Sequence, residues 1–306
     1  MLHPQAQALL NLMRDNGVQP PHLLGHTVAR TQYRDRRFTL QPAPPEVAMV
    51  QDLRAGDIPL RLYRPLGSAA GEVLPVLVYY HGGGWVIGDL DTHDTLCREL
   101  ANSAGCSVVA VDYRLAPEHA FPAAVDDAIV ALSWVRAQAG ALGLDASRMA
   151  VGGDSAGANL AAVAAIAARD AGLPLKFQLL VYPVTDMRQG APSYTSRGEG
   201  YSLSAETMHW FRGLYLGDAD PLDWRGSPLL HQDLSGLPPA FVLTAGHDPL
   251  RDEGLHYAQR LTESGSPATL VCFERQMHGF LLMGRILDEA NVAVQMCATQ
   301  VRQALG

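Results

Sequence analysis

Met149-Ala150-Val151-Gly152-Gly153-Asp154-Ser155-Ala156-Gly157 is the stretch that decides how this chain is read. Its first four residues make an apolar strand, and Ala158–Ala168, directly after it, has the composition of a helix. A serine held between the two lies on a sharp strand-to-helix turn, with its hydroxyl exposed at the carboxyl edge of a sheet. Such a turn is crowded, so the positions two before and two after the serine must lack a Cβ, and Gly153 and Gly157 meet that need. The helix N-terminus also turns backbone N–H groups toward the place where negative charge would develop.

Around this turn, from about residue 47, β-rich runs alternate with helical segments. The runs are Ile58–Tyr63, Pro75–Tyr80, Ser107–Asp112, Met149–Gly152, Phe177–Tyr182, Ala240–Thr244 and Ala268–Phe273. Several are continuously apolar, as parallel strands covered on both faces must be. The repeated order predicts an α/β class: a mostly parallel twisted sheet with helices on both faces. Thr92 is the expected cap of a helix through Leu96 and Leu100, and Pro122 fits the first turn of the next. Residues 186–222 break the rhythm with a long stretch rich in Gly, Ser, Tyr and Trp that contains a helix candidate, Ser204–Leu216. Insertions of that size between strands are usually functional, often as lids.

The chemistry needs more than a serine. His81-Gly82-Gly83-Gly84-Trp85 follows the strand Pro75–Tyr80, and three consecutive glycines let the backbone approach a substrate closely. The N–H groups of Gly83, Gly84 and Ala156 are then candidates for an oxyanion hole, each such donor contributing about 3 kcal/mol to the transition state. A tight structural turn is the bland alternative for the glycines alone. A serine hydroxyl also needs a base, and the base an orienting acid, in this fold class in the order serine, acid, histidine. Asp248 follows the strand Ala240–Thr244, and His278 follows Ala268–Phe273, so both are placed as required. Asp248 could serve as a helix N-cap as well. Asp252 and Glu253 fall about a turn later, on the helix, and are weaker orienters. His247 reads as a pocket or surface residue, and His81 as a brace for the glycine loop. A metal site is not expected: HExxH is absent, and His22 and His26 lie in a loop flanked by Pro and Gly.

Taken together these motifs resemble the hormone-sensitive-lipase-type (bacterial family IV) carboxylesterases of the α/β-hydrolase fold. The resemblance rests on His81–Trp85, Asp112-Tyr113-Arg114-Leu115-Ala116-Pro117-Glu118, Gly153–Gly157, Asp248-Pro249-Leu250-Arg251-Asp252 and His278-Gly279-Phe280, in the family's order. It implies Ser155 as nucleophile, Asp248 as acid, His278 as base, and Gly83, Gly84 and Ala156 as oxyanion donors. Arg114 and Glu118 look structural, with Asp126 and Asp127 as candidate partners. His247 departs from the apolar or aromatic residue more usual there.

The resemblance further implies a helical cap made of residues 1–45 and the insertion at about 186–222, over a catalytic domain of residues 46–306. Trp85, Tyr201, His209 and Phe211, with Trp210, are the candidate substrate-binding side chains, though Trp210 and Phe211 could equally pack the cap onto the body. The implied activity is hydrolysis of short- to medium-chain carboxylic esters through an acyl-enzyme, without cofactor or metal. Neutral His278 is required, so activity should fall on the acid side of its pKa. The rival readings are a small-amide hydrolase, a true lipase and a non-catalytic ligand receptor on the same fold. The family also implies a homodimer.

Composition sets the remaining bounds. The 306 residues are 48% hydrophobic and 18% charged, enough for one large core with an insertion. A net charge of −8 argues against a nucleic-acid partner. The one basic cluster, Arg30, Arg34, Arg36 and Arg37, reads as a solvated surface. Cys97, Cys106, Cys272 and Cys297 form no CxxC pair and read as reduced thiols, which with the absence of a signal-peptide pattern suggests a cytoplasmic protein. Ala158–Ala168 is too short to span a membrane.

Overall fold

The expected strands appear as one sheet in a computed structural model that describes residues 1–69 and 71–306. In chain order the elements begin with α1 (Pro4–Asp15), α2 (Pro21–Leu24), α3 (His26–Leu40), β1 (Met49–Ala55), β2 (Ile58–Arg64) and β3 (Leu74–Tyr80). Next come α4 (Asp94–Ala104), β4 (Ser107–Val111), α5 (Ala123–Gln138), β5 (Leu144–Asp154), α6 (Ala156–Asp170) and β6 (Phe177–Val181). The chain closes with α7 (Pro192–Ser196), α8 (Ala205–Leu216), β7 (Ala240–His247), α9 (Arg251–Glu263), β8 (Ala268–Met277) and α10 (Asp288–Leu305). Among the described residues the sheet has eight strands in the order β1-β2-β4-β3-β5-β6-β7-β8. Pairing is antiparallel from β1 to β4 and parallel from there on.

The strands β3, β4 and β6 are buried along their whole length, because helices cover both faces. One face packs against α5, α6 and α9 through side chains such as Val125, Leu160 and Tyr257. The other packs against α4 and α10 through Leu96, Leu100, Val294 and Val301. All the parallel strands therefore point their carboxyl ends to one edge, where ligands of such sheets bind.

β1 was not anticipated. Its sequence, Met-Val-Gln-Asp-Leu-Arg-Ala, is mostly exposed at the sheet's margin, so it carries none of the apolar continuity that marks its neighbours. The Thr92 cap is corrected too. Thr92 closes a turn instead: its hydroxyl accepts from Asp89 N at 2.9 Å, its N–H donates to Asp89 Oδ1 at 2.8 Å, and α4 begins two residues later. Pro122 stands just before α5. Ser204 caps α8, accepting from Thr207 N at 3.1 Å.

The first forty residues are tied to the far end of the chain. His3 N donates to Arg275 O at 2.8 Å, and Gln5 donates to Asp288 at 2.9 Å. Arg285 donates to Leu40 O and Phe38 O at the end of α3. Two arginines of the basic cluster on α3, Arg30 and Arg34, are likewise anchored. Arg30 grips both oxygens of Glu118 at 2.8 and 2.6 Å and donates to Val86 O and Ala116 O, and Arg34 pairs with Asp89. The Arg30 guanidinium holds the Glu118 carboxyl down at about 2. Arg114 takes Asp127, not Asp126, through Nη2–Oδ1 at 2.7 Å.

Candidate active site

Ser155 joins β5 to α6 at φ 56°, ψ −118°, the strained conformation of a sharp elbow. The crowding inferred from sequence is literal: a Cβ on Gly157 would lie 1.9 Å from Tyr80 O, and one on Gly153 would lie 2.4 Å from the Gly157 backbone. Ser155 N donates to Val181 O at 2.9 Å, which fixes the elbow to the next strand. On the other side, His247 pairs with Met277 across β7 and β8, so the residues after them, Asp248 and His278, leave the sheet side by side. That register brings His278 Nδ1 to 2.7 Å from Asp248 Oδ2 and His278 Nε2 to 2.9 Å from Ser155 Oγ. Asp248 is fully buried, and its Oδ1 accepts from Leu250 N at 2.8 Å, which leaves Oδ2 for the imidazole. Asp248 thus closes a short turn rather than capping α9, whose cap is Leu250. The rival acid, Glu253, faces elsewhere and accepts from Thr185 N at 2.7 Å.

The glycine loop abuts the elbow. Gly83 has φ 124°, and a Cβ there would lie 2.0 Å from Ile87 O; Gly84 has φ 59°, and a Cβ there would enter the Phe211 ring. Among the described residues no backbone acceptor outside the helices and strands takes the N–H of Gly83 or Gly84. Asp154 fastens this loop: one carboxylate accepts from Gly82 N at 3.0 Å and the Tyr79 hydroxyl at 2.9 Å, and contacts His93 Nε2 at 3.1 Å. Burial opposes the charge on Asp154, yet His93 and the Tyr79 hydrogen bond carry its carboxyl below the ordinary range. His81 does brace the loop. Its Nδ1 is 2.8 Å from Gly82 O, its ring stacks on Tyr113 at 4.3 Å, and burial with the neighbouring His93 pulls it down to about 4, so it is neutral near pH 7. Above Ser155 and His278 lies a cavity of about 120 Å³, walled by α3 and α8.

A family model described as alpha/beta hydrolase fold matches residues 77–282. The chain belongs to that family. It is 41% identical to an ethyl acetate hydrolase of Pseudomonas putida over 99% of each chain. It is 44% identical to a carboxylic ester hydrolase, LipN, of Mycobacterium tuberculosis, over 92% of this chain and 77% of that one. Among solved structures, an alpha/beta hydrolase enzyme from the metagenome of Lake Arreo superposes with a TM-score of 0.94 at 47% identity, covering 99% of this chain and 98% of that one.

In this hydrolase the candidate substrate-binding side chains separate into two groups. Phe211 lines the cavity, lying over Gly84. Trp85 does not: it is fully buried behind the glycine loop and stacks on Tyr215 at 4.3 Å and 3°. Tyr201 packs on the His247 ring at 4.7 Å, which also gives His247 its place, and His209 is exposed beside Tyr194. Trp210 lies against Phe211 at 5.1 Å and packs on the core. The physical reason is helix geometry. Three consecutive residues of α8 cannot share one face, whereas Ser204, Thr207, Met208 and Phe211 recur at the helical period, and the last three line the cavity. That spacing, read from the sequence, would have found Thr207 and Met208. Nothing local would have found Tyr33, Arg36 and Leu282, which come from distant segments. Among the described residues no cluster of His, Cys, Asp or Glu could hold a metal ion, and no helix is long and apolar enough to cross a membrane.

Proposed function

We propose that this hydrolase cleaves short- to medium-chain carboxylic esters through an acyl-enzyme on Ser155. The observation that carries the reading is the continuous chain Asp248–His278–Ser155, at 2.7 and 2.9 Å, beside a glycine loop with free N–H donors. His278 Nε2 takes the Ser155 proton as Oγ attacks the ester carbonyl. Asp248 holds the ring so that Nε2 is the basic nitrogen and compensates the imidazolium that forms. The oxyanion is received by the N–H groups of Gly83, Gly84 and Ala156, which are fixed before substrate arrives and so cost little reorganisation. Imidazolium then protonates the leaving alcohol, and water activated by the same nitrogen releases the acid.

Residues 1–45 and 186–222 act as the cap over this site, and Phe211 bounds the acyl or alcohol group. The small cavity supports the choice of short and medium chains. The four free thiols accord with a cytoplasmic setting. Among the described residues β8 leaves an outer edge of the sheet unpaired, with Leu270 exposed, which supports the pairing of two copies.

A p-nitrophenyl ester series from acetate to palmitate, run with wild type and Ser155→Ala, tests the reading. Turnover should peak at short or medium chains, and kcat should fall on the order of 10⁶-fold in the variant. Wild-type protein inert on every ester would overturn it.

A further inference from the structure

The cavity wall holds polar side chains that the reaction above does not use, among them Tyr33, Arg36 and Arg37; Arg37 donates to Arg34 O and its guanidinium lies over the Phe38 ring. Tyr33 and Arg36, one turn apart on α3, both line the cavity that contains Ser155 and His278. On the same helix Arg30 and Arg34 are paired to Glu118 and Asp89. Among the described residues Arg36 has neither a carboxylate within 4.0 Å nor a side-chain hydrogen bond, and the Tyr33 phenol is its one electrostatic neighbour. Arg36 is partly buried, and this burial draws its guanidinium below the ordinary value, with the Tyr33 phenol acting the other way. Burial and Asp154 push the Tyr33 hydroxyl upward, so it remains a neutral donor. Asp154 is the sole carboxylate among the lining residues, and Tyr79, Gly82 and His93 already occupy it. Among the described residues, then, an arginine and a phenol on the wall of the Ser155 cavity are without an acceptor.

We propose that Arg36 and Tyr33 form a carboxylate subsite, so that the favoured esters carry a second, ionised carboxyl group on the acyl or the alcohol part. The proposal rests on the ester-hydrolase reading and narrows its substrate class. A guanidinium fork receives a carboxylate through two parallel hydrogen bonds, and the phenol adds a third donor. Leu40, Ile87, Met208 and Phe211 supply the apolar part of this wall. A carboxylate there is shielded from water, which strengthens its attraction to Arg36.

The test pairs charged esters with neutral isosteres in a pH-stat. Monoethyl glutarate is set against ethyl 5-methylhexanoate for the acyl side, and 4-acetoxybutanoate against 4-methylpentyl acetate for the alcohol side. The readout is the charged-to-neutral ratio of kcat/KM. In Arg36→Gln the ratio should fall at least tenfold in one arm, which identifies the side that carries the carboxylate. Arg36→Lys should retain part of it, and Tyr33→Phe should lower it less. Ratios equal in wild type and Arg36→Gln in both arms, with the neutral esters still hydrolysed, would overturn the subsite and leave the hydrolase intact. Inertness of wild type on all four esters would instead fell the ester-hydrolase reading and this proposal with it.

Discussion

The floor and the walls of the cavity are built differently. On the floor, the elbow and glycine loop leave no free space: Gly153, Gly157 and Gly83 each face backbone within 2.4 Å of where a Cβ would stand. Its charged and titratable groups, from Asp154 to Asp248, are tied to named partners. The walls are helices with partly exposed faces, where Leu23, Val28 and Phe38 meet solvent and α3 hangs on ion pairs to Glu118 and Asp89. On the proposed reading, chemistry rests on backbone with no room to shift, and selection on side chains that can be exchanged. Rigid strand ends give the sub-ångström placement that acyl transfer needs, while an adjustable wall lets substrates differ.

The contrast is broken most directly at Gly157. Gly157→Ala sets a methyl 1.9 Å from Tyr80 O, and neither side of that contact is a flexible side chain. The expected outcome is misfolded protein, or a Tm lowered by roughly 10 °C or more in a thermal melt. A melt matching wild type would remove the argument for a rigid floor. Asp248→Asn keeps the shape but favours the wrong imidazole tautomer, so kcat/KM on p-nitrophenyl butyrate should drop about 10⁴-fold with an unchanged circular dichroism spectrum. A wall change should act otherwise. Phe211→Leu enlarges the cavity over Gly84 and should move the chain-length optimum toward longer acyl groups, by roughly tenfold in relative kcat/KM, at about 1 kcal/mol of stability. An unaltered chain-length profile would mean that Phe211 packs without selecting.

The smallest effect lies away from both regions. Burial raises the Glu99 carboxyl on α4 to about 7. Because the folded value exceeds the unfolded one, stability is lost progressively as pH rises from 4.5 to about 7, stays at that loss above, and the cost vanishes below 4.5. Glu99→Gln should therefore raise Tm at pH 8, with the gain shrinking as pH falls toward 4.5, and should leave ester turnover unchanged. A gain independent of pH would trace to packing instead.

The same division explains what could be read from the sequence. The floor was legible because each of its parts carries a local signature: a glycine two residues either side of Ser155, three glycines after an apolar strand, an acid and a histidine after later strands. Parallel register then supplies the geometry without further information. The walls were less legible. Trp85 and His209 are large or polar and close to the motifs, but which way each faces depends on helix phase and on Tyr215 and Tyr194, contacts made across the fold. Arg30 and Arg34 read as solvated because their partners, Glu118 and Asp89, lie more than fifty residues away. β1 escaped notice for the opposite reason, being a strand at the sheet's margin with little to bury.

The tie between the two chain ends bears on the order in which this protein is made. His3 and Gln5 bond Arg275 and Asp288, and the end of α3 bonds Arg285, while Arg30 and Arg34 bond Glu118 and Asp89, so α3 has partners made soon after it and the contacts of α1 wait for residues made much later. Domains generally fold as units during synthesis, and here α1 completes its contacts only once residues 275–288 are made. His278 arrives in that same final stretch. A fragment ending before β8 keeps α3 and α8 but lacks His278 and the residues that hold α1.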